Sequence, residues 1–215
     1  MLLRCAPLSP SWLQGWGDVG TDIAGGVEIR PHGPGSPWKL ADVSSDALPR
    51  HYDAFGLLFG VCNYAGFEPV APGRGLPDDA SADLLGLQLA DSEHGHTWVA
   101  WTQLACIDWS AQAPRVDDRI HEYELTSQGP RFKGKAGHHG RAWREVAGEY
   151  ADHRGSSYPE GTEWRAADRM WRVERLSHGD VLHADPQLRA LLDGMRDLAE
   201  RHGDDNVRLV VWFDS

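Results

Sequence analysis

The sequence predicts an α+β fold. A mixed or antiparallel sheet packed by three to four helices is expected in one domain over residues 20–215, behind a loose leader over residues 1–19. Three observations carry this. Asp185 to Phe213 reads as a capped helix followed by an apolar strand, Ile120 to Leu125 alternate with strand period, and no repeat, heptad run or linker divides the chain.

In chain order, the leader is broken by Pro7, Pro10 and Gly15, too often for a signal-peptide core. Residues 20–30, GTDIAGGVEIR, read as a strand in which Gly25-Gly26 marks a bulge or a close backbone approach. PHGPGSP (31–37) is a turn, and Trp38, Leu40 and Val43 suggest a second strand, giving a hairpin with a long tip. Residues 44–49 connect to a helix whose face carries Tyr52, Phe55, Leu58, Phe59 and Cys62. Residues 63–77 are loop. Ser81 caps a helix expected to run about 10 residues, to Asp91. His94 to Trp101 begins as a strand, and Thr102 to Asp108 makes a short helical turn.

The strand over 119–126 places Ile120, Glu122 and Glu124 on one face and His121, Tyr123 and Leu125 on the other. Residues 127–140, rich in glycine, read as the most flexible stretch. Arg141 to Arg154 reads as a helix, 155–161 as a loop, and Trp171, Val173 and Arg175 as a strand. Near the end the local grammar is explicit. Asp185 is an N-cap, Pro186 the first helical residue, Leu188, Leu191, Leu192, Met195 and Leu198 the apolar stripe, and Gly203 the stop. Asn206 to Phe213 is apolar on both faces, which predicts an internal strand.

Composition bounds the function. The 215 residues suffice for a sizeable core, and 41% hydrophobic with 25% charged content is ordinary for a globular chain. Ten tryptophans spread from Trp12 to Trp212 fit one fold's core and rim rather than a local cage. The formal charge of −11 argues against broad nucleic-acid binding, while leaving room for a small phosphorylated ligand or a protein partner. Three cysteines, with no C-x-x-C pair, predict reduced thiols in a cytoplasmic protein. No apolar run approaches the roughly 20 residues of a membrane-spanning helix.

The candidate chemistry centres on HGHTWVAW (94–101). On a regular strand His94 and His96 would project to one face, the arrangement of an H-x-H metal pair. A divalent transition metal would need further ligands, for which Asp22, Asp91, Glu93, Asp108 and His121 are available by type. Without metal, the two imidazoles could act as acid and base, or simply hydrogen-bond a turn beside Trp98. His121 shares a strand face with Tyr123, which suggests a half-buried polar pair or else a supporting role, and His138-His139 suggests a solvated loop. Gly73-Arg74-Gly75 has features of a small anion site, and Arg50-His51-Tyr52 precedes a helix N-terminus, so Arg74, Arg50 and Tyr52 are candidate ligand-binding residues. No G-x-S-x-G elbow and no H-E-x-x-H helix occurs.

Three blocks, GTDIAGGVEIR (20–30), RHYDAFGLLFGVCNYAGFEPVAPGRGLPDDAS (50–81) and GHTWVAWTQLACIDW (95–109), together with the ending DDNVRLVVWFDS (204–215), resemble an uncharacterised protein family found in phages and bacteria, actinobacteria included. The blocks are similar to that family's Asp-Ile-His, its Arg-Asn-Tyr to Arg-Gly-Leu-Pro run and its His-Ser-His-Ser/Thr-Trp segment. The resemblance implies a third histidine after Asp22-Ile23, where this chain has Ala24, so that a three-histidine set is incomplete here. The chain also departs from the family at Cys62, where the family has Arg, and at His51, where it has Asn. Two functional expectations follow. One is a histidine-centred site for a phosphorylated or nucleotide-like small ligand, with His94, His96 and Asp22 as its chemical groups. The other is a non-catalytic interaction protein of a phage–host or defence system.

Overall fold

The computed structural model describes residues 21–41, 50–87, 94–137 and 154–214. The fold is α+β, and among the described residues the strands pair antiparallel and divide between two four-stranded sheets rather than sharing one. Two compact units result, each assembled from separated segments. The first comprises residues 1–51, 70–107 and 185–215, and the second 52–69 and 108–184.

The first unit is organised around β8 (Val207–Asp214). It lies between β1 (Asp22–Ile29) and β3 (His94–Ala100), with β2 (Lys39–Leu40) at the outer edge of β1. The internal strand expected at the chain's end is therefore the central one, with seven of its residues buried. Gly25 marks a close approach rather than a bulge. The β1–β8 register is continuous, and a Cβ at Gly25 would lie 2.1 Å from the Val210 carbonyl oxygen.

Polar residues interrupt this core at one place. Arg208 and Glu28 are directly paired across the strands and buried, and Arg208 Nε donates to Glu28 Oε2 at 2.8 Å. Arg208 also donates to Asp79 Oδ1 at 2.7 Å, while Glu28 Oε1 accepts the Ser81 N–H at 2.7 Å. The Trp38 indole donates to Asp79 Oδ2 at 2.8 Å and lies 4.0 Å from the Arg208 guanidinium. Each charge is thus hydrogen-bonded, the condition on which burying it depends.

The helix of this unit, Pro186–His202, forms as its grammar predicts. Asp185 Oδ1 accepts from the N–H groups of Gln187 and Leu188, and Gly203 follows at φ 92. One predicted helix is shorter than expected, and the predicted helical turn after β3 is present. Ser81 does cap a helix, but it runs only over Ala82–Leu85 before Gly86 turns away. The short helical turn expected over Thr102 to Asp108 is a single turn at Trp101–Leu104, starting one residue earlier.

In the second unit the strand order is β5-β4-β7-β6, with β4 Ile120–Thr126, β5 Gly129–Ala136, β6 Glu163–Ala166 and β7 Arg169–Arg172. Residues 129–136, read as flexible from their glycines, are thus a strand paired along its length to β4. A register shift beside Tyr123 leaves Lys133 as the extra residue. The helix at Tyr52–Phe59 packs beside the short helix His178–Ala184, which the sequence did not signal. Gly60, at φ 77, ends the first of these, so Cys62 lies beyond it rather than on its face. Cys62 and Cys106 are free thiols. Residues 141–153 of the helix predicted over 141–154, the pair His138-His139, and Asp91 and Glu93 lie outside the described residues. Among the described residues no helix is long and apolar enough to cross a membrane.

Candidate functional site

The sequence-predicted residues fall at several places. In the first unit, β3 and β1 flank β8 on opposite sides, and their ends coincide. Asp22 pairs with Asp214, Ala24 with Trp212, and His94 with Phe213. Position 24 and His96 therefore sit on either side of Trp212, roughly 10 Å apart at two strand spacings. The His96 and Trp212 ring centroids lie 6.2 Å apart.

The period-two argument for His94 and His96 fails locally. Gly95 takes φ 65, and His94 to Thr97 span one residue more than the facing Phe213 to Val211, so regular alternation is broken between the histidines. A β-bulge re-aims side chains in this way. Among the described residues, no three His, Cys, Asp or Glu side chains are arranged to hold a metal.

Asp22 and Arg50 are brought together. Arg50 Nε and Nη2 donate to the two carboxylate oxygens of Asp22 at 2.8 and 2.7 Å, and these bonds hold the carboxyl below its usual range. Arg74 is a clamp rather than an open anion site. Its guanidinium donates to Gln103 Oε1 at 2.6 Å, to the Trp98 carbonyl at 3.2 Å and to the Val70 carbonyl at 3.1 Å. Next to it, the Gly75 N–H donates to the His96 carbonyl at 2.9 Å and covers the outer edge of β3. Tyr52 belongs to the second unit, where its ring meets those of Phe55 and Tyr64.

Among the described residues of the second unit the densest constellation surrounds His121, expected from its sequence to form a half-buried polar pair with Tyr123 or to take a supporting role. The register explains it. On β4, His121 and Tyr123 point to one face. His121 is directly opposite Lys135 on β5 and Arg172 on β7, and Tyr123 is opposite Phe132 and Met170. Three carboxylates reach this face from outside the sheet. Asp53 comes from the first turn of the helix at Tyr52–Phe59, Asp117 from the segment before β4, and Glu174 from just beyond β7.

His121 is 2% exposed. Its Nδ1 lies 3.1 Å from Glu174 Oε2 and its Nε2 3.5 Å from Asp117 Oδ2. Tyr123 Oη donates to the other Glu174 oxygen at 2.7 Å. Asp117 is fully buried and accepts Arg119 Nη2 at 2.6 Å, Arg119 Nε at 3.0 Å and the Arg119 backbone N–H at 2.9 Å. Arg119 continues to Asp53, which also accepts Lys135 Nζ at 2.6 Å.

The electrostatics follow from these contacts. Burial by itself would lower the His121 pKa, but the hydrogen bonds to Asp117 and Glu174 outweigh it and raise the pKa above its ordinary value. Burial by itself would raise Asp117, yet His121, Arg119 and Lys135 hold that carboxyl far below the usual range. Glu174 is lowered in the same sense, burial opposing, by His121, Tyr123 and Arg172. Burial and the bond to Glu174 raise Tyr123, so its phenol stays protonated. The two carboxylates thus favour the protonated form of His121, behind the partly exposed carboxylate of Glu174. Arg119 and Lys135 already occupy the cationic positions against Asp117 and Asp53.

Comparison with family models, with curated proteins and with solved structures finds no match.

Proposed function

We propose that the protein is a histidine-centred acid/base enzyme acting on a small ligand, with its proton-transfer group at His121. The observation that carries this reading is the imidazole held between Glu174 and Asp117, both ring nitrogens facing carboxylate oxygens. General acid catalysis needs a positioned proton donor, and the two carboxylates raise the His121 pKa, which favours the imidazolium form that donates.

The roles divide by exposure. Glu174 has a quarter-exposed side chain, 25%, and with Tyr123 it would touch the ligand. His121 lies behind and supplies the proton through Glu174. Asp117 orients the imidazole and favours its protonated form, as the buried carboxylate of a catalytic triad stabilises the imidazolium that forms. Arg119 and Lys135 keep Asp117 and Asp53 ionised.

The test is turnover of a panel of phosphorylated and nucleotide-like small molecules by wild type, His121→Gln and Glu174→Gln. Loss of one acid/base group is expected to lower kcat by about 10²–10⁴-fold. Turnover unchanged by both substitutions would remove the proposal.

A further inference from the structure

We infer that Lys135 keeps the His121 proton exchangeable, by setting a further cation against the carboxylate that holds the imidazole. Lys135 is thus a positioning residue acting through Asp117, and this role rests on His121 being the proton-transfer group. His121 has two directly opposed cross-strand neighbours, Lys135 on β5 and Arg172 on β7. Arg172 reaches to the outer strand β6, where its Nε donates to Glu163 at 2.7 Å, and its Nη1 stands 3.5 Å from Glu174 Oε1. Lys135 reaches to the buried carboxylates instead. Its side chain is 15% exposed, and its Nζ donates to Asp53 Oδ2 at 2.6 Å and stands 3.6 Å from Asp117 Oδ2. The same Asp117 oxygen accepts Arg119 Nη2 at 2.6 Å and lies 3.5 Å from His121 Nε2. Three groups that carry positive charge therefore share one oxygen. Arg119 hydrogen-bonds it, whereas Lys135, tied to Asp53, bears on it as a charge.

Charge balance gives the consequence. A protonated His121 stands with Arg119 and Lys135 against the carboxylates of Asp53, Asp117 and Glu174, so the two signs match. Without Lys135 the carboxylates are in excess, and removing the imidazole proton becomes costlier. Burial lowers the proton affinity of His121, the bonds to Asp117 and Glu174 raise it, and the Lys135 charge lowers it again, with the net above the ordinary value. An acid/base group has to release its proton as well as hold it, and the carboxylates alone would only hold it. The remaining neighbours do not oppose them in the same way. Tyr123 keeps its phenol proton and donates to Glu174, and Arg172 is engaged by Glu163.

The experiment is an NMR pH titration of the full chain carrying isotope-labelled histidine, the His121 ring being identified by its loss in His121→Gln. The His121 midpoint is expected to rise in Lys135→Met and to stay at the wild-type position in Lys135→Arg, which keeps the charge. The sign separates this from a structural role. Loosening the site would return His121 toward its ordinary value, which is lower, so a merely structural lysine would give a fall. Lys135→Gln, neutral but able to hydrogen-bond Asp53, carries the same expectation as Lys135→Met and replaces it if the apolar variant loses its thermal transition. In turnover, the neutral variants should carry the alkaline limb of kcat to higher pH, with Lys135→Arg restoring it. A midpoint that falls or stays in the neutral variants, or that rises equally in Lys135→Arg, overturns the inference. A rise confined to the neutral variants with no His121-dependent turnover would keep the control by Lys135 and remove the acid/base reading. His121-dependent turnover with a midpoint indifferent to Lys135 would do the reverse.

Discussion

His121 faces two carboxylates at once, and this fixes how its surroundings respond to pH. The groups around it are Asp117 and Glu174 as acceptors, Lys135 and Arg172 as cross-strand neighbours, and Tyr123 on the same face of its strand. Its pKa is raised on folding, so the stabilisation it gives is complete below the unfolded value of about 6.5 and is lost as pH rises through the folded value. Asp53, Asp117 and Glu174 are lowered, so their contribution is complete above about 4 and is lost as pH falls through their folded values. The urea midpoint is therefore expected to be highest between these limits. His121→Gln should flatten the alkaline limb and weaken the acid limb only in part, because Arg119 and Lys135 still hold Asp117 and Asp53. An alkaline limb that persists in the variant would assign it to another group. Asp117→Ala strands Arg119 and His121 without their shared acceptor. Breaking a buried pair in this way is expected to cost about 3–5 kcal/mol in urea unfolding.

At the scale of elements, two contacts set the first unit's geometry. Gly25 lets β1 approach β8 where any side chain would meet the Val210 carbonyl. Gly25→Ala should force the strands apart and cost about 3 kcal/mol, read as a shift in urea midpoint. Asp185 closes the N-terminus of the helix Pro186–His202 with two hydrogen bonds. Its replacement by Ala should cost about 1–2 kcal/mol, measured the same way. In the second unit, β5 is an outer strand of eight residues, a form that invites unwanted pairing. Pro130, the bulge at Lys133 and three basic side chains are the devices that suppress such pairing. They flank Phe132, which is half exposed and packs edge-to-face against Tyr123 and His121. The glycines that made 129–136 read as flexible do not prevent pairing, because β4 supplies the partner that local propensity cannot report.

For the whole molecule, the order of strands matters more than their identity. β8 comes last in the chain and lies between β1 and β3. A fragment ending at Ala184 lacks it, and β1 and β3 then have no neighbour to join them. Such a fragment is expected to lose the near-UV signal of the first unit's tryptophans and to bind a hydrophobic dye. Native-like near-UV dichroism from it would contradict this topology. The buried Arg208–Glu28 pair offers a second check. Arg208→Ala should cost about 3–5 kcal/mol by leaving Glu28 unpaired, whereas Arg208→Met with Glu28→Leu should recover most of the loss.

What the sequence determined by itself was local. Asp185, Pro186 and Gly203 bound a helix through the hydrogen-bonding needs of its own ends, and Val207 to Phe213 demanded burial on both faces. The alternation of β4 likewise put His121 and Tyr123 on one face before any fold was known. Tertiary structure decided which residues meet. The spacing of His94 and His96 promised a shared face, but the left-handed turn at Gly95 and the extra residue opposite β8 broke it. The carboxylates that define the His121 centre stand 68 residues upstream at Asp53, four upstream at Asp117 and 53 downstream at Glu174. No sequence period joins positions so far apart. Their convergence follows from strand register and from burial, which together choose the partners of each charge.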